Sequence, residues 1–173
     1  MEEWFRDPRL FQLYQYWQSK KAGGQSVRRA DIDFAEILAL LPILHILEIN
    51  GEPGRFRHRF VGTEIVEALG RDVTGRDVDG DLYGDVGREI AASLARVAQD
   101  PRPYRRIAHL TWHEYDWLEM ESVELPMVDD EGRVVALLSG ATFHRREPGS
   151  GPRLVHEPLP VPDGREHPTA VPD

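Results

Sequence analysis

His58 is the side chain in this sequence best placed to do chemistry, because it lies between Phe56 and Phe60 in an alternating segment. Successive side chains of a strand point to opposite faces, so we expect this imidazole and both rings to face the interior. The arginines at positions 55, 57 and 59 would then face solvent. A buried imidazole could orient a small ligand through one hydrogen bond, or could be satisfied inside the core by a carbonyl or water. The sequence leaves both interpretations open.

His109 and His113 have the four-residue spacing of a helical metal pair, but their surroundings favour a strand. Pro101 and Pro103 precede them, and an extended chain would hold the two imidazoles about 13 Å apart. Metal ligands must converge within about 2 Å of the ion, so we expect no metal site here. No serine lies in a recognisable Ser-His-Asp pattern, and we name no catalytic residue.

Composition excludes several classes of function. Acidic residues outnumber basic ones by 30 to 21, which gives a net charge of -9 and makes nucleic acid an unfavourable partner. The most apolar segment, residues 38–49, contains Pro42, His45 and Glu48 and is too short to span a bilayer. No secretory signal pattern opens the chain. We therefore expect a cytoplasmic protein that binds neither nucleic acid nor membrane.

Helical spacing of apolar residues predicts an amphipathic helix over about residues 8–20, before Gly23-Gly24. Its apolar face consists of Leu10, Leu13, Tyr14 and Trp17. Such a face either packs on the sheet of the same molecule or pairs with its copy in a homodimer. We take these four residues as candidate dimer or partner contacts.

Strands and helices follow in a clear order up to about residue 143. Strands are predicted at 43–49, 55–61, 105–112, 118–127 and 133–143, and helices at 63–69 and 86–99. Turn residues at 50–54 and 129–132 predict two hairpins. The order β-β-α-α-β-β-β predicts an α+β domain.

The run VGTEIVEALGRDVTGR, residues 61–76, resembles a bacterial family of PAS-type sensors that carry similar Val-Gly-Thr-Glu-Ile and Gly-Arg-Asp-x-Thr-Gly motifs. The likeness extends from about residue 10 to 143. It implies a PAS-like five-stranded antiparallel sheet with helices over one face. It also implies a ligand cavity between sheet and helices, for which the candidate lining residues are Phe56, His58, Phe60 and His109.

The resemblance, together with the residues present, narrows the range of possible cofactors but does not identify one. The chain has no cysteine, so the cysteine adduct of one flavin-binding PAS class is excluded. Haem-binding PAS proteins commonly ligate iron from the helix before the third strand, and residues 86–99 contain no histidine, which leaves His58 and His109 as the alternative ligands. The cofactor therefore stays unknown.

We divide the chain into an N-terminal helix and linker at 1–30, a PAS-like domain at 31–145 and a proline-rich tail at 146–173. The tail has too little apolar content to offset the entropy of ordering, and we expect it to be disordered or strap-like. A polyproline segment that docks on a partner is the alternative.

Three functions are compatible with the sequence. The first is a non-enzymatic sensor that binds a small ligand and signals through a partner protein or a homodimer. The second is an interaction scaffold whose own side chains fill the cavity. The third is a small α+β enzyme that uses His58 with an inward acid, which the sequence does not supply.

Overall fold

One antiparallel sheet forms the centre of the molecule. The computed structural model describes residues 4–21, 26–51, 55–110, 117–146 and 154–160. The strands are β1 (Leu44–Ile49), β2 (Phe56–Val61), β3 (Tyr104–His109), β4 (Leu118–Val128), β5 (Val134–Arg145) and β6 (Leu154–Pro158). Their spatial order is β2-β1-β5-β4-β3-β6, and all neighbours are antiparallel. The predicted α+β class and the first five strands are confirmed, whereas β6 was not predicted.

The later helices cover one face of this sheet, and the N-terminal helix packs on the other. The α-helices are α1 (Pro8–Ser19), α2 (Thr63–Leu69), α3 (Gly80–Tyr83) and α4 (Asp85–Gln99), and 3-10 segments run over Arg29–Asp31 and Phe34–Ile43. Residues of α1 and the second 3-10 segment pack on what we call the outer face. Residues of α2, α3 and α4 pack on the opposite face, which we call the cavity face.

The four apolar residues of α1 are buried in their own molecule, against the outer face. Leu10, Leu13, Tyr14 and Trp17 are each at most 2% exposed, and Trp17 Nε1 donates a hydrogen bond of 3.0 Å to the Pro126 carbonyl. Of the two alternatives for this helix, packing on the sheet of its own molecule is therefore the one that the structure shows. The candidate dimer role of these side chains is corrected, because none of them has surface left for a second copy.

The Gly-Arg-Asp-x-Thr-Gly motif protects the free edge of β2. The amide of His58 donates to the Arg76 carbonyl at 2.9 Å, and the Gly75 amide donates back to the His58 carbonyl at 2.7 Å. Gly75 has a φ of +81°, a backbone conformation that glycine adopts without steric cost. The motif is thus a turn that pairs with the sheet edge.

The tail is ordered where it meets the opposite edge of the sheet. Residues 154–158 form β6 along β3, and Leu159 is 4% exposed in the outer core. The prediction of a disordered tail is wrong for this segment, since ladder hydrogen bonds and one buried leucine hold it. Residues 161–173 lie outside the described part of the chain.

Candidate functional site

A small cavity lies between the cavity face and helices α2 to α4. Its volume is about 30 Å³, measured as the space open to the centres of water molecules, which corresponds to room for about two waters. The apolar part of the wall is formed by Leu47, Ile65, Leu69, Val78, Ile90, Leu94, Met120 and Ala141. The polar part is formed by His45, His58, Tyr83, Arg106, Ser122 and Ser139. This combination suits a small ligand with an apolar body and a polar head.

Two histidines and a tyrosine form a chain of hydrogen bonds along one wall. His45 Nε2 and His58 Nδ1 are 2.5 Å apart, and His58 Nε2 lies 3.0 Å from the Tyr83 hydroxyl. Both nitrogens of His58 are therefore engaged, and no carboxylate contacts it among the described residues. The inward acid that the enzyme hypothesis requires is not among these hydrogen-bond partners.

His45 and His58, the two histidines of this hydrogen-bonded row, are held in the neutral state. Burial, and secondarily the positive charge of Arg106, lowers the pKa of His58 to about 4. The pKa of His45 lies well below its ordinary value, first because of burial and then because of His58 and Arg106. Burial also raises the pKa of Tyr83. A neutral histidine pair can share one proton across its hydrogen bond, which a doubly charged pair could not.

Arg106 is the charged side chain among the residues that line the cavity. Its Nη2 lies 2.8 Å from Glu124 Oε1, and its Nη1 donates to the Ser93 hydroxyl at 3.1 Å. Glu124 is fully buried and also lies 2.9 Å from His156 Nε2. Arg106 Nε is buried and has no hydrogen-bond partner in the described part of the chain. An unsatisfied buried donor of this kind needs an acceptor from a ligand or a water.

The pKa of Glu124 is set by two opposed effects. Burial alone would raise it, but Arg106, His156 and the Ser122 hydroxyl together lower it below its ordinary value. Glu124 is therefore ionised, and it balances the charge of Arg106 from the side of β6. Ser122 donates to its Oε1 at 3.2 Å.

The four candidate cavity residues have three different locations. His58 lines the cavity as expected, and Phe56 is 1% exposed in the core of the same face. Phe60 packs against the outer core instead, because β2 has a bulge: Leu47 pairs with His58 but Ile46 pairs with Phe60. The extra residue, Arg59, reverses the alternation, so Val61 and not Phe60 faces the helices.

His109 also faces away from the cavity. It lies on the outer side of β3, where its Nε2 is 2.9 Å from Glu119 Oε2, and Arg6 pairs with the same carboxylate. The prediction that His109 lines the cavity is therefore wrong. His113 lies outside the described residues, within which no cluster of three metal-binding side chains occurs.

The sequence analysis missed most of the polar wall. His45 appeared only as an interruption of an apolar segment, and Tyr83, Arg106 and Glu124 were not singled out. A signal existed for Arg106. With a period of two it shares a strand face with Tyr104 and Ala108, and a charge on an otherwise uncharged face indicates a buried ion pair. The arginines at 55, 57 and 59 are exposed and pair with Asp77 or Glu48.

Lowering the pH from 7 to 5 is expected to destabilise the protein through His58. Its pKa is about 4 in the folded protein and about 6.5 in an unfolded chain. Between these values the unfolded chain binds a proton that the folded protein does not. The contribution of His58 to the free energy of unfolding is complete above about pH 6.5. It is lost as the pH falls toward 4, by up to about 1.4 kcal/mol per pH unit.

Urea unfolding at pH 7, 6 and 5 measures this dependence. The variant His58→Phe should lose less unfolding free energy per pH unit than the unmodified protein, whatever its stability at pH 7. The range stops at pH 5 because carboxylates titrate below it. Equal slopes of unfolding free energy against pH for the two proteins would contradict the assignment of this pH dependence to His58.

Comparison with known proteins agrees with this architecture. A family model described as a PAS domain matches residues 5–141, which include α1, the first four strands and most of β5. A search of curated proteins found no match. Among the described helices, none is long and apolar enough to cross a bilayer. Because the match spans most of the chain, the protein belongs to the PAS domain family.

Proposed function

We propose that this PAS module senses a small carboxylate, which binds in the cavity with its charged head toward Arg106 and its apolar part among the helices. The observation that carries the proposal is the buried Nε of Arg106, which has no partner among the described residues. Leaving such a donor unsatisfied costs about 1 to 3 kcal/mol, and a ligand oxygen would remove that penalty.

The charge distribution favours an anion over a neutral acceptor. Arg106 lowers the pKa of both His45 and His58, so its positive potential extends into this side of the cavity. Its counter-ion Glu124 lies on the β6 side of the guanidinium and pairs with both Arg106 and His156. A carboxylate between the guanidinium and the histidines would favour their protonation.

Ligand size is limited by the cavity. About 30 Å³ of water-centre space accommodates only a head group of a few atoms unless the helices move. A ligand that binds better to the opened arrangement would shift α2 to α4 relative to the sheet, and this shift is the signal passed to a partner protein or to a second copy. The module acts by this movement and not by catalysis.

A thermal-shift and calorimetry panel tests the proposal. Straight-chain carboxylates from formate to hexanoate are compared with the amide of each acid, at pH 7 and pH 6. One or more acids should stabilise the protein, by about 2.7 kcal/mol at one hundred times the dissociation constant, and the amides should not. Binding should be tighter at pH 6, because the carboxylate favours proton uptake by His58 or His45.

Arg106→Lys is the matched variant, with Arg105→Lys as its control. Lysine keeps the charge beside Glu124 but has no Nε–H in the same place, so Arg106→Lys should bind at least tenfold more weakly. Arg105 lies on the outer side and pairs with Glu121 and Glu157, so Arg105→Lys should bind normally. An equal loss in both variants, or acids and amides with the same affinity, would contradict the carboxylate proposal.

The ligand-free scaffold is the second candidate, and the small volume of the cavity favours it. In that case the side chains of the wall fill the space and no small molecule binds. Native mass spectrometry of the freshly purified protein, together with a panel in which no compound stabilises it, would establish this alternative.

A further inference from the structure

We infer that the carboxylate sensed in this cavity carries a hydroxyl group beside its acid group, so that the ligand is a short 2-hydroxy acid. The inference rests on the proposed function, because it concerns the same cavity and narrows the chemical class of the ligand. It is carried by two serine hydroxyls of the wall, Ser122 and Ser139, which the carboxylate proposal does not use.

The two serines lie on neighbouring strands at the sheet side of the cavity. Both line it and are 1% exposed. Ser122 of β4 pairs with Ala141 of β5, and Ser139 of β5 pairs with Glu124 of β4. The serines are therefore diagonal neighbours on one face of the sheet, about 7 to 8 Å apart along the backbone. A ligand of a few atoms can reach either hydroxyl.

Each serine has already used its one proton. Ser139 Oγ donates to the Val123 carbonyl at 2.8 Å, and Ser122 Oγ donates to Glu124 Oε1 at 3.2 Å. A hydroxyl has one hydrogen to donate and two lone pairs that accept. Within the described part of the chain, no donor contacts either oxygen. Both oxygens can therefore only accept from a ligand in the cavity.

The ligand must then combine an acceptor with a donor over a short distance. Arg106 Nε has a hydrogen to donate and no acceptor among the described residues, whereas the serine oxygens need a donor. Arg106 and Ser122 are register partners on β3 and β4. The volume of about 30 Å³ leaves room for only a few atoms between them. A hydroxyl on the carbon next to the carboxylate meets this requirement.

Charge favours a hydroxyl over an ammonium group as this donor. A 2-amino acid also places a donor beside its carboxylate, but that donor is positively charged. The pKa of His45 and of His58 is lowered in part by Arg106, so a second positive charge in the cavity is opposed. Glu124, which could balance it, already pairs with Arg106 and His156. A neutral hydroxyl donates without this repulsion.

Calorimetry at pH 7 tests the inference with matched sets of compounds. Each straight-chain acid from acetate upward that binds is compared with its 2-hydroxy and 2-amino derivatives, for example acetate with glycolate and glycine, or butyrate with 2-hydroxybutyrate and 2-aminobutyrate. The 2-hydroxy acid should bind about fivefold more tightly than the plain acid, which is the typical net effect of one hydrogen bond. The 2-amino acid should bind more weakly than the plain acid.

Ser139→Ala locates the contact, with Thr142→Val as its control. Without the serine oxygen, the advantage of the 2-hydroxy acid should fall below twofold, while the plain acid keeps its affinity. Thr142 is a buried hydroxyl residue on the outer side of the same strand, where it contacts His144, so Thr142→Val should keep the advantage. Ser122→Ala is the second variant, and it is decisive if Ser139→Ala does not fold or keeps the advantage.

The outcomes separate this inference from the carboxylate proposal. Plain acids that bind as tightly as their 2-hydroxy derivatives would overturn the inference and leave the carboxylate proposal standing. A panel in which neither kind of acid binds would overturn both. An advantage of the 2-hydroxy acid that persists in Ser139→Ala and in Ser122→Ala would overturn the assignment to these two hydroxyls.

Discussion

Replacing Arg106 by methionine is expected to lower the free energy of unfolding by about 3 to 5 kcal/mol. The variant removes the guanidinium that lies 2.8 Å from Glu124 and leaves a fully buried carboxylate with His156 and Ser122 as partners. Methionine fills a similar volume, so the loss reports the charge rather than a cavity. Urea unfolding followed by circular dichroism at pH 7 measures it.

Two further variants show that the loss comes from the unpaired charge. Arg106→Met/Glu124→Leu removes both charges and should recover most of the stability, because a buried ion pair contributes little net free energy over apolar residues. Arg57→Met breaks an exposed pair with Asp77 and should change stability by less than about 1 kcal/mol. A double variant no more stable than Arg106→Met would show that the guanidinium acts through packing.

The pH dependence of Arg106→Met gives an independent check. Arg106 is the foremost of the interactions that offset burial and keep the pKa of Glu124 low. Without it, burial should raise the pKa of Glu124 above that of an unfolded glutamate, so the folded variant binds a proton that the unfolded chain releases. The stability gap between variant and unmodified protein should therefore widen as the pH rises from 5 to 8.

Local sequence signals predicted the elements of this fold well. The strand β2, the hairpin turn at 129–132 and the helical stripe of α4 depend on neighbours in the chain, and each appears where expected. Residues 52–54 of the other predicted turn lie outside the described part of the chain. The order of the strands came from the PAS resemblance, because periodicity does not tell which strands pair.

The candidate site was harder to predict because its geometry depends on contacts between distant segments. The bulge at Arg59 moves Phe60 to the outer face, and no residue in the β2 sequence marks it. The partners of Arg106 come from β4 and α4, which the sequence does not connect to it. The tail was misjudged because composition describes an average, whereas His156 and Leu159 are two specific anchors.

Gly62→Ala is expected to destabilise the protein by at least about 3 kcal/mol, or to prevent folding. A Cβ at this position would lie 2.3 Å from the carbonyl oxygens of both Leu41 and Pro42. Gly62 cannot move away, because its amide donates to the Leu44 carbonyl at 2.8 Å and its own carbonyl accepts from the amides that begin α2. Its φ of -67° suits any residue, so this glycine of the Val-Gly-Thr-Glu-Ile motif is required for close packing of the backbone rather than for conformational freedom.

Gly80→Ala is the matched control. Gly80 begins α3, and a Cβ there would meet nothing within 4 Å, so the substitution should change the free energy of unfolding by less than about 1 kcal/mol. Urea unfolding of both variants separates the steric cost at Gly62 from the general effect of replacing glycine by alanine. Equal stability of the two variants would show that the segment before β1 can shift, and that its contact with Gly62 does not fix the start of α2.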